Sequence, residues 1–284
     1  MPVPPGMTKP NILISAGEPS GEMYAARLVR ALGQRVEAHL FGLGGQKMRE
    51  AGVELVAENS AIAVVGITEV LGKAPTVWRL IRQLSEEAER RRPKLAILVD
   101  SPGFNLRLAR RLNAQGVPIV YFISPHVWAW KRWRIHAIRN RVKRMLCIFP
   151  FEEQYYRDRG VAADFVGHPQ VDDVQATRSR AEFAARYEMD PARPIVALLP
   201  GSRRNELKYN LPTMLEASRL IAAKQPAQFV LALAPALRPA EVVPFAQADM
   251  PVHLVEDETY NALAAADAAI VSSGPATVEA ALLG

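Results

Sequence analysis

The chain has 284 residues, 49% of them hydrophobic, and 35 Lys and Arg against 29 Asp and Glu leave a net charge of +6. That length accommodates about two domains, and that apolar content buries a core in each, which excludes a chain disordered throughout. No run of ~18 apolar residues is present to span a bilayer as a helix, and the opening MPVPPGMTKP lacks the apolar stretch of a secretory signal, so the reading is cytoplasmic with a disordered tail over residues 1–10.

Asn11 to Ala16 (NILISA) is a short apolar run followed by GEPSGE and a helical pattern through Tyr24, Leu28 and Leu32 that ends at Gly33. The same alternation recurs at His39 to Gly42, at Leu95 to Val99 before a Leu106 to Leu112 helix, at Pro118 to Ile123 and at Met145 to Phe149. Runs apolar on both faces read as central strands of a parallel sheet covered by helices on each side. The single cysteine, Cys147, excludes an internal disulfide and a Cys-based zinc cage, and its LCIF setting reads as an inert buried strand. Around Gln170 to Arg193 the pattern lapses into a charged, helix-forming stretch ending in two prolines. A second α/β series then follows: Ile195 to Leu199, a helix near Leu211 to Lys224, Phe229 to Ala234, Val252 to Val255, a helix near Tyr260 to Ala265, and Ala268 to Val271. The fold class is therefore α/β, with two doubly wound parallel-sheet domains at 11–175 and 176–284. A second nucleotide-binding half normally continues past the helix on which Gly284 falls, so the sequence reads as cut short there.

Charge is concentrated. Between Ser101 and Phe151 there is no Asp or Glu, while Arg107, Arg110, Arg111, Lys131, Arg132, Arg134, Arg139, Arg141, Lys143 and Arg144 contribute +10, leaving −4 for the remainder. Such a distribution argues for a local anionic partner.

Ligands of parallel α/β sheets sit at the carboxyl ends of the strands, so the loops there are the first places to search. The 17–22 loop, containing Ser20, Gly21 and Glu22, suits an anion at the following helix N-terminus or is a plain strand-to-helix turn. Asp100, at the exit of LAILV, is a carboxylate whose partial desolvation suits a general base, or with Ser101 it is an N-cap. His126 lies in SPHVWAWKRWRIHAIRNRVKR, where Trp128, Trp130 and Trp133 interleave with cations. That mixture suits stacked bases, a phosphorylated amphiphile, or a merely solvated basic helix. Ile62 to Leu84 places Val77, Trp78, Leu80, Ile81 and Leu84 on one helical face bordered by cations, as in a core helix or a segment lying on an anionic membrane. In the second domain, LPGSRRN supplies small residues with Arg203 and Arg204 for a diphosphate, and Ser272 to Glu279 forms a small polar loop before a helix, with Glu279 one turn in and able to accept from ribose hydroxyls. No DxD pair, HExxH or Walker loop occurs, and the five histidines are scattered, so neither a catalytic metal nor a cofactor is expected.

Taken together, SAGEPSGE, VGITEVLG, VDSPGFN, YFISPHVWAW, FPFEEQYY, FVGHP, LLPGSR and SSGPATVEAALLG occur in an order and approximate spacing that resemble the lipid-A-disaccharide synthase family over nearly all of Asn11 to Gly284. The resemblance implies a GT-B, inverting, metal-independent glycosyltransferase. Its implied reaction joins UDP-2,3-diacylglucosamine to 2,3-diacylglucosamine 1-phosphate, with release of UDP, at the cytoplasmic face of a Gram-negative inner membrane. Asp100 would be the general base. Ser20, Gly21, Glu22, Asn105, His126 and Trp128 would contact the acceptor. Gly201, Ser202, Arg203, Ser273, Gly274, Ala276, Thr277 and Glu279 would hold the UDP-sugar, and Val65, Val70, Leu71, Trp78, Leu80 and Ile81 would dock on the membrane. It further implies a homodimer and no nucleic-acid partner. Pro275 stands where the family commonly has Thr, and Gly103 replaces an acid frequent in the Asp100 loop. Alternatives are a UDP-N-acetylglucosamine 2-epimerase of the same architecture, or a module that only associates with membrane or nucleic acid.

Overall fold

In the computed structural model residues 9–63, 74–245 and 251–284 are described. They divide into two compact units, Met1–His168 and Pro169–Gly284. In chain order the first unit contains β1 (Asn11–Ala16), α1 (Pro19–Gly33), β2 (His39–Gly44), α2 (Gln46–Glu50), β3 (Glu54–Glu58), α3 (Ser60–Ala63), α4 (Ala74–Arg91), β4 (Leu95–Val99), α5 (Pro102–Ala114), β5 (Ile119–Phe122), α6 (Arg134–Arg141), β6 (Arg144–Cys147), α7 (Pro150–Arg157) and β7 (Ala163–Phe165). Its seven strands pair in parallel in the order β3-β2-β1-β4-β5-β6-β7.

The sheet is apolar on both faces because helices cover both. On one side Leu13, Leu98 and Tyr121 pack with Leu84, Leu108 and Ile138 from α4, α5 and α6. On the other, Ile14, Ile97 and Val99 pack with Ala25, Ala26 and Val29 of α1 and Met48 of α2. Each fully buried aliphatic side chain contributes about 1.5–3 kcal/mol. Two strands escaped the sequence reading, β3 and β7, both at sheet edges. The first is flanked by the exposed Glu54 and Glu58 and the second is three residues long, so neither has the continuous apolar run of a central strand. Arg91, at the end of α4, grips β3 with a two-pronged ion pair to Glu54 (2.6 and 2.7 Å) while its guanidinium lies 4.7 Å from the Phe41 ring.

The expected membrane face of α4 requires a correction. Leu80 and Ile81 are 5% and 1% exposed and belong to the core under β1 and β4, since residues three and four apart on the helix share the face turned to the sheet. Trp78 lies about 100° further round the helix and is 52% exposed. Val65, Val70 and Leu71 lie outside the described residues, as do residues 1–8 of the expected tail.

The second unit runs α8 (Arg180–Arg186), β8 (Ile195–Leu199), α9 (Arg204–Ala222), β9 (Gln228–Leu233), β10 (Val252–Glu256), α10 (Thr259–Ala265), β11 (Ala268–Val271) and α11 (Pro275–Leu283). Its four parallel strands are ordered β10-β9-β8-β11. The charged stretch read as helix-forming contains α8, capped at Ser179 with Glu182 reaching back to its amide at 2.8 Å. Helix α9 begins seven residues before the expected Leu211 and carries Pro212 internally.

Both sheets reverse their order of winding at one point, between β1 and β4 in the first unit and between β8 and β11 in the second. Ligands bind in the crevice such a reversal opens. Gly42 of β2 shows how tightly β2 packs beside β1: at φ +153°, a Cβ would collide with the Ile14 carbonyl oxygen. Replacing Gly42 with Ala is therefore expected to cost about 3 kcal/mol or more, read as a lower urea midpoint; an unchanged midpoint would show that the β1–β2 spacing adapts.

Candidate functional site

The reversal point of the first unit is built on strained backbone. Asp100 and Ser101, which leave β4, both adopt the left-handed conformation, with φ of 48° and 45°. Such a conformation costs about 1–3 kcal/mol per residue unless its surroundings fix it. Here they do. The Tyr121 hydroxyl donates to the Asp100 carbonyl at 2.6 Å, the Asn105 side-chain amide donates to the same oxygen at 2.9 Å and to the Val99 carbonyl at 3.0 Å, and the Asp100 amide donates to Phe122 at 3.0 Å. Asn105 is in turn held by Ser15, whose hydroxyl donates to its Oδ1 at 2.8 Å.

This framework fixes the loop that presents the Asp100 side chain. Burial raises its pKa above the ordinary aspartate value, while the Ser101 backbone and the positive charge of His126 pull it down. Glu18, the last residue before α1, is also raised, first by its own burial and next by the charge on Asp100. The negative charge on Asp100 thus opposes ionisation of Glu18. Gly21 closes the arrangement from below: a Cβ there would lie 3.5 Å from that of Asp100.

Of the residues expected to contact an acceptor, Gly21 and His126 are thus grouped with Asp100, and Ser20 is exposed on the first turn of α1. Two expectations are corrected. Glu22 is 9% exposed, and its carboxylate accepts from the Lys47 amide (2.8 Å) and from Asn59 (2.9 Å), so it joins α1 to α2. Asn105 is fully buried and positions Asp100 instead of meeting a ligand. Trp128 is half-buried, its indole N–H donating to Glu152 at 3.2 Å and its ring edge-on to Phe151. Glu18 was in the scanned loop but not singled out, because its closeness to Asp100 depends on β1 and β4 being neighbours. Cys147 is buried, and its thiol is pushed up to about 12, chiefly by burial.

In the second unit a cavity of about 650 Å³ opens at the β8/β11 reversal. It brings together Gly201, Ser202, Arg203, Ser273, Gly274, Ala276 and Glu279, all expected from sequence. Thr277 does not line it; its hydroxyl donates to the Gly274 carbonyl at 2.6 Å and closes the first turn of α11. Pro275 sits at the start of that helix, where a missing N–H leaves no helical bond unmade. Glu279 accepts from Gln170 at 3.1 Å and from the Tyr260 hydroxyl at 3.5 Å, and burial raises its pKa. Tyr260, Asn261 and Thr177 also line the cavity and were missed, since they come from α10 and from the stretch before α8, away from the strand-end loops.

At the N-terminus of α9 the amides of Ser202 and Arg203 converge on Glu206 Oε2 at 2.8 and 3.2 Å, and the Arg203 guanidinium reaches Oε1 at 3.0 Å. Two backbone donors and a cation around one carboxylate form an anion nest. Gly201, with φ +124°, permits the approach: a Cβ would meet Glu206 Oε2 at 2.5 Å. Among the described residues no group of three or more potential metal-ligating side chains converges.

The family model for lipid-A-disaccharide synthetase matches residues 12–284. The lipid-A-disaccharide synthase of Koribacter versatilis is 44% identical over 281 residues, covering 96% of this chain and 72% of that protein. That of Anaeromyxobacter dehalogenans is 46% identical over 277 residues with the same coverage. Among solved structures, the kitacinnamycin glycotransferase has a TM-score of 0.62 at 15% identity, covering 96% of this chain and 78% of that one. A UDP-GlcNAc 2-epimerase from Neisseria meningitidis, bound to UDP-GlcNAc, has a TM-score of 0.57 at 11% identity, covering 94% and 78%. These structural likenesses show the GT-B fold alone. The match of sequence from residue 12 to residue 284, at 44–46% identity to these relatives, places the chain in the lipid-A-disaccharide synthase family.

Proposed function

We propose that the chain is the glycosyltransferase that joins UDP-2,3-diacylglucosamine to 2,3-diacylglucosamine 1-phosphate, giving the β-1,6 lipid A disaccharide and UDP. The observation that carries the mechanism is the strained, buttressed Asp100 at the β1/β4 reversal. Its carboxylate takes the proton of the acceptor 6-hydroxyl as that oxygen attacks the anomeric carbon of the donor. The bond to UDP breaks as the new one forms on the opposite face, which inverts the configuration. A pKa raised by burial makes Asp100 a stronger base than a solvated aspartate.

Charge that develops on the departing diphosphate is met in the second unit by the Gly201 to Arg203 nest, with Ser273 and Gly274 across the same cavity. Donors fixed before the reaction stabilise such charge without reorganising. Glu279, already accepting from Gln170 and Tyr260, would accept from the ribose hydroxyls. On this reading Ser20, Gly21 and His126 flank the acceptor sugar, with Trp128 and the exposed Trp78, Trp130 and Trp133 turned towards lipid. Among the described residues no helix is long and apolar enough to cross a membrane. Peripheral association with the inner-membrane surface and the family's homodimer belong to the same proposal.

Asp100→Asn is expected to lower kcat by ~10² to 10⁴ with an unchanged thermal midpoint, measured as UDP release with both acylated substrates; near-normal turnover would remove Asp100 from the mechanism. Glu279→Ala should raise KM for the UDP-sugar by about 10- to 100-fold, the worth of a lost hydrogen bond to a charged group, with little change in acceptor KM. The acidic limb of kcat/KM should lie above the ordinary aspartate value. Replacing His126 with Ala should move that limb to higher pH, because losing a cation makes Asp100 harder to ionise. A pH profile unmoved by that change would detach His126 from Asp100.

A further inference from the structure

Beginning at Pro102 and Gly103, just after the Asp100 turn, α5 and α6 enclose a groove of about 680 Å³ with an unusual lining. Gly103, Leu106, Ala114 and Ala137 are among its small and apolar residues, and Arg107, Arg110, Arg111, Arg134 and Arg141 supply its charge. No acid lines it, and among the described residues no ion pair reaches any of these five arginines. Arg107 and Arg141 turn only to the backbone carbonyls of Gly103 and Leu106. The contrast with neighbouring α4 is direct: there Arg82 pairs with Glu86, Arg90 with Glu87, and Arg91 with Glu87 and Glu54.

Crowding cations with no counter-charge has a cost. Burial and the charge of Arg107 together push the Arg134 pKa below the usual arginine value. Concave cationic surfaces of this kind concentrate anions, and guanidinium forks match phosphate oxygens in pairs. The groove also has an aromatic border, Trp78 at 52% and Trp133 at 68% exposure, with the Arg134 guanidinium 5.7 Å from the Trp133 ring. Indole rings beside arginine suit the boundary between polar headgroups and acyl chains. Three of the cations fall between Arg107 and Arg111, about 6 Å of α5, and Arg134 and Arg141 stand at the two ends of α6, about 10 Å apart along its axis. Five guanidinium groups on two helices, each able to take two phosphate oxygens, exceed what one phosphate offers and fit several phosphates in a surface.

We propose that the α5/α6 groove seats the phosphate headgroups of anionic phospholipids, with Trp78 and Trp133 lodged beside their acyl chains. This rests on the membrane-facing part of the reading above and assigns it a specific set of residues. The groove, rather than the buried face of α4, is then the anchor of the first unit, and it holds that unit by charge as well as by apolar contact.

The test is co-sedimentation of the purified chain with phosphatidylcholine vesicles, with and without about one-third phosphatidylglycerol. Arg110→Gln/Arg111→Gln removes two exposed groove cations whose side chains make no hydrogen bond or ion pair among the described residues, and Arg30→Gln/Lys94→Gln removes equal charge elsewhere on the unit. At ~1 kcal/mol for each cation near an anionic surface, the groove variant should bind anionic vesicles about thirtyfold more weakly than the control variant, while UDP release on detergent-dispersed substrates is retained. Vesicle binding with failed UDP release would leave the groove standing and sink the catalytic reading instead. Equal binding by the two variants, or equal binding to neutral and anionic vesicles, would overturn the proposal. So would a groove variant with normal vesicle binding but a raised KM for the phosphorylated acceptor, or a wild-type chain that binds an RNA oligonucleotide and ignores vesicles.

Discussion

The constraint on which the proposed active centre depends is the left-handed turn of Asp100 and Ser101 at the end of β4. A single non-glycine residue in that conformation is uncommon, and two in succession persist only because three elements hold them. Tyr121 reaches across from β5, Asn105 reaches back from α5, and Ser15 on β1 fixes Asn105. All three are fully buried, so their hydrogen bonds compete with no water and loosening any one leaves a polar group stranded in the core. The chemistry of one carboxylate is in this way tied to the packing of the sheet beneath it.

The two units repeat this logic with different materials. Each places polar groups at the point where strand order reverses, the one location in a parallel sheet where adjacent loops diverge and leave a crevice. The first unit fills that point with carboxylates, Glu18 and Asp100, set in partial burial. The second fills it with backbone amides, a guanidinium and small residues. One point suits removing a proton, the other receiving a diphosphate, as a glycosyl transfer to a hydroxyl requires.

Much of this was legible in the sequence for identifiable reasons. Central strands announce themselves because both faces are apolar, and the strand-end loops follow from them, which is how Asp100, Gly201 to Arg203 and Ser273 to Glu279 were found. Edge strands β3 and β7 lacked that signal. Leu80 and Ile81 were misread because a helical stripe beside cations looks the same whether it faces lipid or a sheet; only the neighbouring sheet decides. Glu22 and Asn105 were misread because a polar residue in a binding loop and one that braces the loop have the same spelling. Glu18, Tyr260 and Glu206 matter through partners distant in sequence or through backbone direction, and no local pattern carries that information.

The resting occupant of the second unit's nest has a consequence for selectivity. Glu206 already satisfies the Ser202 and Arg203 amides and the Arg203 guanidinium. Any visitor must evict a tethered carboxylate whose local concentration never falls, so an acetate-like monoanion has little to offer in exchange. A group that brings more negative charge and more acceptor oxygens than one carboxylate can win that contest. The pocket thus discriminates by charge density before any contact with a base or a sugar is made.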